Sequence, residues 1–310
     1  MALGTNHVTK TTADKFIPEI WSDEIIAAYK QNLVAANLFS KMSFKGKKGD
    51  TLHIPKPTRG AASVKAASTQ VTLIAATETE QQVLINKHYE YSRLIEDIVE
   101  TQALSSLRKF YTDDAGYALA KQVDTDLVQL GRAVGSGTDY STSATATNAF
   151  IGSNGTTVYN STSSNAAALG DAGIRRSIQR LDDADVPMTD RCLIIPPTTR
   201  NTLMSLARFT EQAFVGEVSN ANTIRNGQVG DVYGVKVYVT TNADSGAGNS
   251  GADRICLMAH KDAFVLAEQM GVRSQTQYKQ EYLGTLFTSD MLYGVAELRD
   301  SSAVALAVPA

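Results

Sequence analysis

The sequence predicts an α+β fold, in which strands and helices occupy partly separate stretches of the chain. Three observations indicate this class. Apolar residues alternate with period two near residue 50 and again in the last forty or so residues. Helical spacing runs from about residue 93 to 134. Between them, residues 171 to about 262 alternate buried-strand and helix patterns, which is typical of a mixed α/β lobe.

The composition is that of a globular protein with no strong electrostatic preference for a partner. The chain has 310 residues, 43% of them hydrophobic and 20% charged, and its net charge is −3. No secretory signal or membrane-spanning run is visible, so we expect a chain made in a cytoplasm with no membrane partner. The two cysteines, Cys192 and Cys256, lie in apolar runs, which predicts buried free thiols and a reducing compartment.

The first 45 residues contain one helical pattern, from Ile20 to Phe39, whose apolar face includes Trp21. An apolar face so near a terminus requires a surface on which to dock. The residues before it are rich in Thr and Lys without periodicity, and we expect them to be unstructured in isolation.

A long β-arm is predicted from about residue 46. One strand is centred on Leu52 and Ile54, a second fits residues 70–77, and a third fits residues 80–91. The residues between the first two strands are small and polar, and offer no side chains from which a core could be built. Such an arm has little use within a compact domain, so we expect it to lie on a neighbouring subunit.

The longest predicted helix spans about residues 93–134, with a break or bend near Asp113 and Gly116. Its buried face recurs every three or four residues and comprises Leu119, Val123, Leu127, Leu130 and Val134. The Gly-, Ser- and Thr-rich stretch that follows predicts a loop with one hairpin at residues 150–159, marking a boundary between two lobes.

The next lobe begins with a helix capped by Asp171, followed by a buried strand at "RCLII" and a helix capped by Thr198. Three glycines, the last being Gly234, then lead into a strand at residues 232–240. Because glycine-rich phosphate loops open a helix rather than a strand, we interpret these glycines as turn residues. Another buried strand is predicted at residues 255–258.

The C-terminal region is predicted to be β again. "VRSQTQYKQEYLG" is polar on both faces, and such a strand needs a partner to fix its register. "LYGVAELRDSSAVALAV" predicts a hairpin that turns at residues 300–302.

No catalytic, cofactor-binding or metal-binding residue is predicted. The four histidines have no ligand spacing, no GxSxG nucleophile motif occurs, and Asp182, Asp183 and Asp185 lack the remaining positions of a calcium loop. We interpret those aspartates as the solvated end of a helix. A basic cluster of Lys45, Lys47 and Lys48 favours a solvated turn over contact with a neighbour's acids or nucleic acid. The chain is therefore predicted not to be an enzyme.

Six segments together resemble the major capsid proteins of tailed bacteriophages, and most closely those of short-tailed phages. In chain order they are "GDTLHIPK", "DDADVP", "RCLIIPPTTRNTL", "GQVGDVYGVKVYVTTN", "AHKDAFVLAEQ" and "LYGVAELRDSSAVAL". The resemblance implies the Hong Kong 97-like capsid fold. Its parts would be an N-arm at residues 1–45, an E-loop at 46–90, a P-domain with a long spine helix at 91–165 and 262–310, and an α/β A-domain at 166–261.

The resemblance implies a shell protein that self-assembles as hexamers and pentamers into an icosahedral shell around double-stranded DNA. The alternative is the shell of an encapsulin-like compartment, which encloses an enzyme instead of a genome. Implied partners are copies of the chain itself, a scaffolding protein, a portal and non-specifically packaged DNA, with assembly in the host cytoplasm and a final location in the virion. No cofactor is implied.

Candidate subunit-interface residues lie in the N-arm and the E-loop. They are Trp21, Phe39, Arg59, Lys65, Glu78 and Glu80. Some members of the family cross-link their shells through a lysine and an asparagine, but no motif assigns such a pair here, although Lys65 lies in the arm. We also expect no protease or scaffold segment fused ahead of the N-arm.

Overall fold

The computed structural model describes residues 33–46, 48–57, 60–71, 73, 78–98, 107–135, 137–142, 145–206, 231–246 and 253–310. The strands are β1 (Ser40–Ser43), β2 (Thr51–Pro57), β3 (Glu78–Leu84), β4 (Lys87–Glu96), β5 (Thr145–Ile151), β6 (Val158–Asn160), β7 (Arg191–Ile195), β8 (Asp231–Val232), β9 (Val235–Val239), β10 (Asp253–His260), β11 (Phe264–Lys279), β12 (Gly284–Glu297) and β13 (Ala303–Pro309). The helices are α1 (Ala35–Leu38), α2 (Leu107–Gln129), α3 (Asp171–Asp183) and α4 (Pro197–Ser205).

A four-stranded sheet with the order β1-β11-β12-β4 carries the long helix α2. Strands β11 and β12 form a long antiparallel hairpin with two register irregularities near Met270. The first four residues of β11 are buried, whereas the second half is almost entirely exposed. The hairpin therefore extends beyond the core that holds its base.

A break or bend was predicted near Asp113 and Gly116, but helix α2 is continuous, so no break occurs there. A Cβ on Gly116 would meet no atom within 4 Å, so Gly116 lies on the open side of this turn, whereas the adjacent Ala115 is fully buried. The predicted buried face is confirmed at three positions spaced four residues apart: Leu119, Val123 and Leu127.

The predicted start of that helix is also wrong, because residues 93–96 belong to strand β4. Leu94 and Ile98, two apolar residues within the predicted helix, are exposed. Strand β4 pairs antiparallel with β12 along its whole length, from Lys87 opposite Tyr293 to Glu96 opposite Gly284. Pairing with a strand nearly 200 residues later in the chain decides the conformation here.

The second sheet has seven strands in the order β6-β5-β13-β10-β7-β9-β8. Every residue of β7 is buried, as predicted from "RCLII", and β10 and β13 are buried almost throughout. Strands covered on both faces read as continuous apolar runs, which explains their sequences. Helices α3 and α4 contribute Ile174, Leu181 and Leu203 to the core beside this sheet.

Three local predictions in this region are corrected. Helix α3 is capped by Gly170, and Asp171 is its first residue. Helix α4 is capped by Pro196, so Thr198 lies within the helix. The predicted strand at residues 232–240 is a hairpin, because Tyr233 and Gly234 both have positive φ and form a two-residue turn between β8 and β9.

The predicted C-terminal hairpin is wrong as well. Strand β12 belongs to the four-stranded sheet, and β13 crosses to the seven-stranded sheet, where it lies between β5 and β10. A 3₁₀ turn at Asp300–Ser302 makes the crossing. The predicted hairpin at residues 150–159 is confirmed as β5 and β6, which pair in the same sheet as β7 and β10.

Strands β2 and β3 form a separate two-stranded ribbon. The strand predicted around Leu52 and Ile54 is confirmed. Of the strand predicted at residues 70–77, positions 72 and 74–77 lie outside the described residues. Gln70, Val71 and Leu73 lie outside any strand, and the return strand of the ribbon starts at Glu78.

Candidate assembly surface

The base of the β2–β3 ribbon is built into the core of its own subunit. Val83 and Ile85 are buried in a cluster with Phe44, Val265 and Ala267. Each fully buried aliphatic side chain of this size stabilises the fold by about 1.5–3 kcal/mol. The base therefore fixes the direction in which the arm leaves the subunit.

Strand β12 passes directly beside this base at Gly294. A Cβ at that position would collide with the carbonyl oxygen of Leu84, so only glycine permits the close approach. At the other end of the ribbon, Pro57 lies opposite Glu78, one of the predicted interface residues. The ribbon is thus anchored at one end and continues into the tip at the other.

The arm tip, defined here as residues 60–71 and 73, is exposed at every position. Its largest apolar side chains are uncovered: Val64, Val71 and Leu73 have relative exposures of 101%, 63% and 90%. The predicted interface residue Lys65 is exposed beside Val64. Because exposed apolar side chains grouped on one segment favour burial against another surface, the tip is the strongest candidate for a subunit contact.

Glu80, another predicted interface residue, is held in place across the ribbon. Its carboxylate accepts a hydrogen bond from Gln82 Nε2 at 2.7 Å and lies 3.0 Å from His53 Nδ1. The hydrogen bond from Gln82, followed by the contact with His53, lowers the pKa of this carboxyl group. Glu80 therefore keeps a negative charge on the exposed face of the arm.

The other predicted interface residues lie elsewhere. Trp21 and Arg59 fall outside the described residues. Phe39 is buried in the core of its own subunit, where its ring packs edge-on against Phe264 with a centroid distance of 4.9 Å. Its position fits a role in guiding the path of the N-terminal segment better than direct contact with a second copy.

A buried carboxylate fixes the point at which the N-terminal segment meets α2. Asp124 is fully buried, and its Oδ1 accepts the backbone N–H groups of Val34 and Ala35 at 2.9 and 2.7 Å. Its Oδ2 accepts a hydrogen bond from Asn242 Nδ2 at 2.9 Å. This role could not be predicted from the sequence, since a single aspartate on an apolar helix face carries no motif.

A second exposed apolar group lies at the far end of the four-stranded sheet. Ile98, Tyr278, Tyr282 and Leu283 are all between 49% and 66% exposed there. Asp97 links two of them, because its N–H donates to the carbonyl of Leu283 at 2.9 Å and its carboxylate accepts a hydrogen bond from the Tyr278 hydroxyl at 2.8 Å. Sequence reasoning missed this group, because Tyr282 and Leu283 lie at the 3₁₀ turn that follows β11 and the strand before them is polar on both faces.

One residue of each charged cluster noted in the sequence has an oppositely charged partner, and Lys47 falls outside the described residues. Asp182 lies 2.7 Å from the buried guanidinium of Arg191, so it does more than end a helix in solvent. Lys45 lies 3.6 Å from Glu268 on β11.

Neither of the two cysteines among the described residues is suited to act as a nucleophile, and these residues contain no evident metal site. Burial raises the pKa of both Cys192 and Cys256 to about 12, so these free thiols are protonated at neutral pH and are poor nucleophiles. Among the described residues, no group of His, Cys, Asp and Glu is arranged to hold a metal ion. In the same residues, no helix combines the length and apolar character needed to cross a bilayer.

Comparison with known proteins gives a family match over nearly the whole chain. The model of the family described as "Phage capsid protein" matches residues 21–306. Comparison with curated proteins finds no match.

Solved structures with the same overall fold come from several phages. A structure from Mycobacterium phage Che8 is 23% identical with a TM-score of 0.74, covering 94% of this chain and 97% of that one. The capsid structure of the Cyanophage P-SCSP1u is 19% identical with a TM-score of 0.75, covering 99% and 96%. The acidic stable capsid structure of Helicobacter pylori bacteriophage KHP30 is 12% identical with a TM-score of 0.72, covering 99% and 100%. At these identities the likeness establishes a shared fold.

Proposed function

The chain belongs to the phage capsid protein family, and from this premise we propose how its Hong Kong 97-like fold builds a shell. It is a major capsid protein that self-assembles, and its place is the capsid of the virion. We propose that it forms hexamers and pentamers in the host cytoplasm, and that these close into an icosahedral shell around double-stranded DNA. The alternative of an encapsulin-like compartment is not favoured, because the family match is to phage capsid proteins.

The observation that carries this proposal is the arm. Its base is buried in its own subunit, while the tip has no cover among the described residues and exposes Val64, Val71 and Leu73. A lid of an enzyme would close over a site in its own chain. An arm of this kind is suited to cover a neighbour, and in a closed shell each such contact recurs at every equivalent position.

The segments named from the resemblance remain part of the proposal. We assign residues 1–45 to an N-arm, 46–90 to an E-loop, 166–261 to an A-domain, and 91–165 together with 262–310 to a P-domain. Lys65, Glu78 and Glu80 in the arm, with Trp21 and Arg59, are proposed interface residues. A scaffolding protein, a portal and non-specifically bound DNA are proposed partners, and we propose that the chain has no enzymatic activity of its own.

Deletion of the distal arm tests the proposal. Residues 57–78 are replaced by Asn-Gly, which joins Lys56 to Thr79. These two residues lie directly opposite each other, so a two-residue turn closes the ribbon in its existing register. We expect soluble subunits with native-like circular dichroism, and no closed particles by electron microscopy or light scattering.

A second variant keeps the length of the arm and changes only its apolar tip. Val64→Ser, Val71→Ser and Leu73→Ser together should reduce the yield of closed particles, whereas Val64→Ile, Val71→Ile and Leu73→Met should retain it. Normal particles from both the deletion and the serine variant would show that the arm is not an assembly element. An unfolded deletion product would show that the distal arm belongs to the subunit's own core.

A further inference from the structure

A cavity of about 240 Å³ lies beside the seven-stranded sheet, away from the arm. It is bordered by strand β5, the C-terminal end of helix α3, the 3₁₀ turn at Asp300–Ser302 and the first residues of β13. Apolar side chains form part of its wall, among them Val134, Ala184 and Val304. Pockets for drug-sized ligands have volumes of about 300–1,000 Å³, so this cavity suits a smaller molecule.

The side chain of Asn148 lines this cavity and is almost completely buried, at 5% exposure. Its Nδ2 donates to the backbone carbonyl of Arg132. Because that carbonyl can only accept, the amide cannot be turned over, and its oxygen must point away from Arg132. Among the described residues, Asn148 Oδ1 has no hydrogen-bond partner. A buried acceptor without a donor costs free energy, so the cavity favours a ligand that brings a donor to this oxygen.

Opposite charges lie on the two sides of Asn148 along the direction of the strands. Strand β13 runs parallel to β5, so Asp300, which precedes β13, lies toward the start of β5. On the other side, Phe150 shares a face of β5 with Asn148 and lies about 7 Å further along the strand. The guanidinium of Arg180 covers the Phe150 ring, 3.7 Å from its centroid. Asp300 and Arg180 both line the cavity.

The charge of Arg180 is held by neutral groups. Its Nε and Nη2 both donate to the backbone carbonyl of Gly155 at 3.3 Å, while its Nη1 has no partner among the described residues. Burial, followed by the neighbouring Arg176, lowers the pKa of Arg180, and Asp183 offsets this in part. A carboxylate bound at this end of the cavity would stabilise the guanidinium.

We propose that this cavity binds a small zwitterion, whose amino group donates to Asn148 Oδ1 on the side of Asp300 and whose carboxylate contacts Arg180. A simple anion would face the Asn148 oxygen and the Asp300 carboxylate, and a simple cation would face the Arg180 guanidinium, so neither suits both ends. The apolar wall suits the methylene groups that join the two charged groups. All of these residues belong to one subunit, so the inference goes beyond the proposed function and does not depend on assembly.

Three probes of similar length test which charged groups the cavity requires. The probe 4-aminobutyrate carries both an amine and a carboxylate, butylamine carries the amine alone, and butyrate carries the carboxylate alone. Isothermal titration calorimetry on the full-length wild-type chain at neutral pH should give a Kd of about 1 mM or tighter for 4-aminobutyrate. Butylamine and butyrate should each bind at least about tenfold more weakly, because each leaves one end of the cavity without its partner.

Two variants each remove the charge from one end of the cavity. Asp300→Asn and Arg180→Met should each weaken the binding of 4-aminobutyrate by about tenfold. Asp300→Asn should also weaken the binding of butylamine, whereas Arg180→Met should bind butylamine at least as tightly as the wild type. Asp190→Asn is the matched control, because this exposed aspartate does not line the cavity, and its affinity for 4-aminobutyrate should equal that of the wild type.

Nuclear Overhauser contacts between the methylene protons of 4-aminobutyrate and the methyl groups of Val304 should locate the probe in the wild-type chain, without any variant. Equal affinity for the three probes would overturn the proposal, and so would unchanged binding of 4-aminobutyrate in both Asp300→Asn and Arg180→Met. Absence of saturable binding up to about 10 mM would also overturn it and would show that water alone supplies the donor to Asn148. None of these results bears on the arm, so the proposed function would stand or fall separately.

Discussion

Removal of the Asp124 carboxylate should detach the N-terminal segment from helix α2. Asp124 is fully buried and accepts three hydrogen bonds, from the N–H groups of Val34 and Ala35 and from the amide of Asn242. Asp124→Ala leaves these three donors without their acceptor. A buried donor that loses its partner costs about 1–3 kcal/mol. With partial relaxation of the segment toward solvent, we expect a loss of about 3–5 kcal/mol in the free energy of unfolding.

Asp124→Asn is the matched control, and the geometry predicts a much smaller effect. Both backbone N–H groups donate to the same oxygen, Oδ1, and an amide oxygen can accept both. The new NH₂ group would face the NH₂ of Asn242, but a half-turn of the Asn242 amide restores the pair, since Thr125 Oγ1 can either donate to or accept from it. Losing only the charge-assisted part of these bonds, the variant should cost about 1 kcal/mol.

Urea unfolding of the free subunit, followed by circular dichroism, measures both changes. Hydrogen exchange at the amides of Val34 and Ala35 should accelerate in Asp124→Ala and remain slow in Asp124→Asn. If Asp124→Ala unfolded within about 1 kcal/mol of the wild type, or if the two variants were equally destabilised, the carboxylate would not be the anchor described here.

Two further predictions concern a turn and a titrating carboxyl. Gly234 has a φ of +78°, and a Cβ there would meet no atom within 4 Å. Gly234→Val should therefore lower the free energy of unfolding by about 1–2 kcal/mol through backbone strain alone, and Gly234→Asn should lower it much less. Equal thermal stability of the two variants would contradict this. Burial, and then Asp300, raises the pKa of Glu297 from 4.5 to about 8 in the folded chain. Since the folded pKa lies above the unfolded value, the protonated Glu297 carboxyl contributes its full share to the free energy of unfolding below about pH 4.5. This contribution is lost as the pH rises to about 8. Glu297→Gln should therefore reduce the fall of the melting temperature between these two pH values.

The elements that could be predicted from the sequence are those whose pattern is set by local burial. The continuous apolar run of β7 and the four-residue spacing of Leu119, Val123 and Leu127 both report directly which side chains are inside. The first residues of strand β4 fall within the strand predicted at 80–91, but its second half could not be predicted. Leu94 in this half and Ile98 just after it are exposed and imitate a helical face, and the conformation of the strand depends on β12. The crossing between β12 and β13 could not be predicted for a similar reason, because the partners that place the two strands in different sheets are distant in the chain.

The candidate assembly surface was predicted in part. The small and polar composition of the arm indicated an element without a core of its own, and the exposed tip agrees with that interpretation. The buried base of the arm was not foreseen, because Val83 and Ile85 find their partners on strand β11. The group around Tyr282 and Leu283 was also missed, since a strand that is polar on both faces gives no pattern from which to assign an exposed end.

The place of β13 in the seven-stranded sheet has a consequence for the order of events during synthesis. This strand is the last of the sheet to leave the ribosome, yet it lies between β5 and β10, and Ala305 pairs with Ala149. During synthesis, β5 therefore has no β13 to pair with until most of the strands of the seven-stranded sheet have been translated. Pairing between strands so distant in the chain is slow. We expect that a chain interrupted before β13 lacks an inner strand of this sheet and is removed by proteases, so that truncated subunits are kept out of the growing lattice.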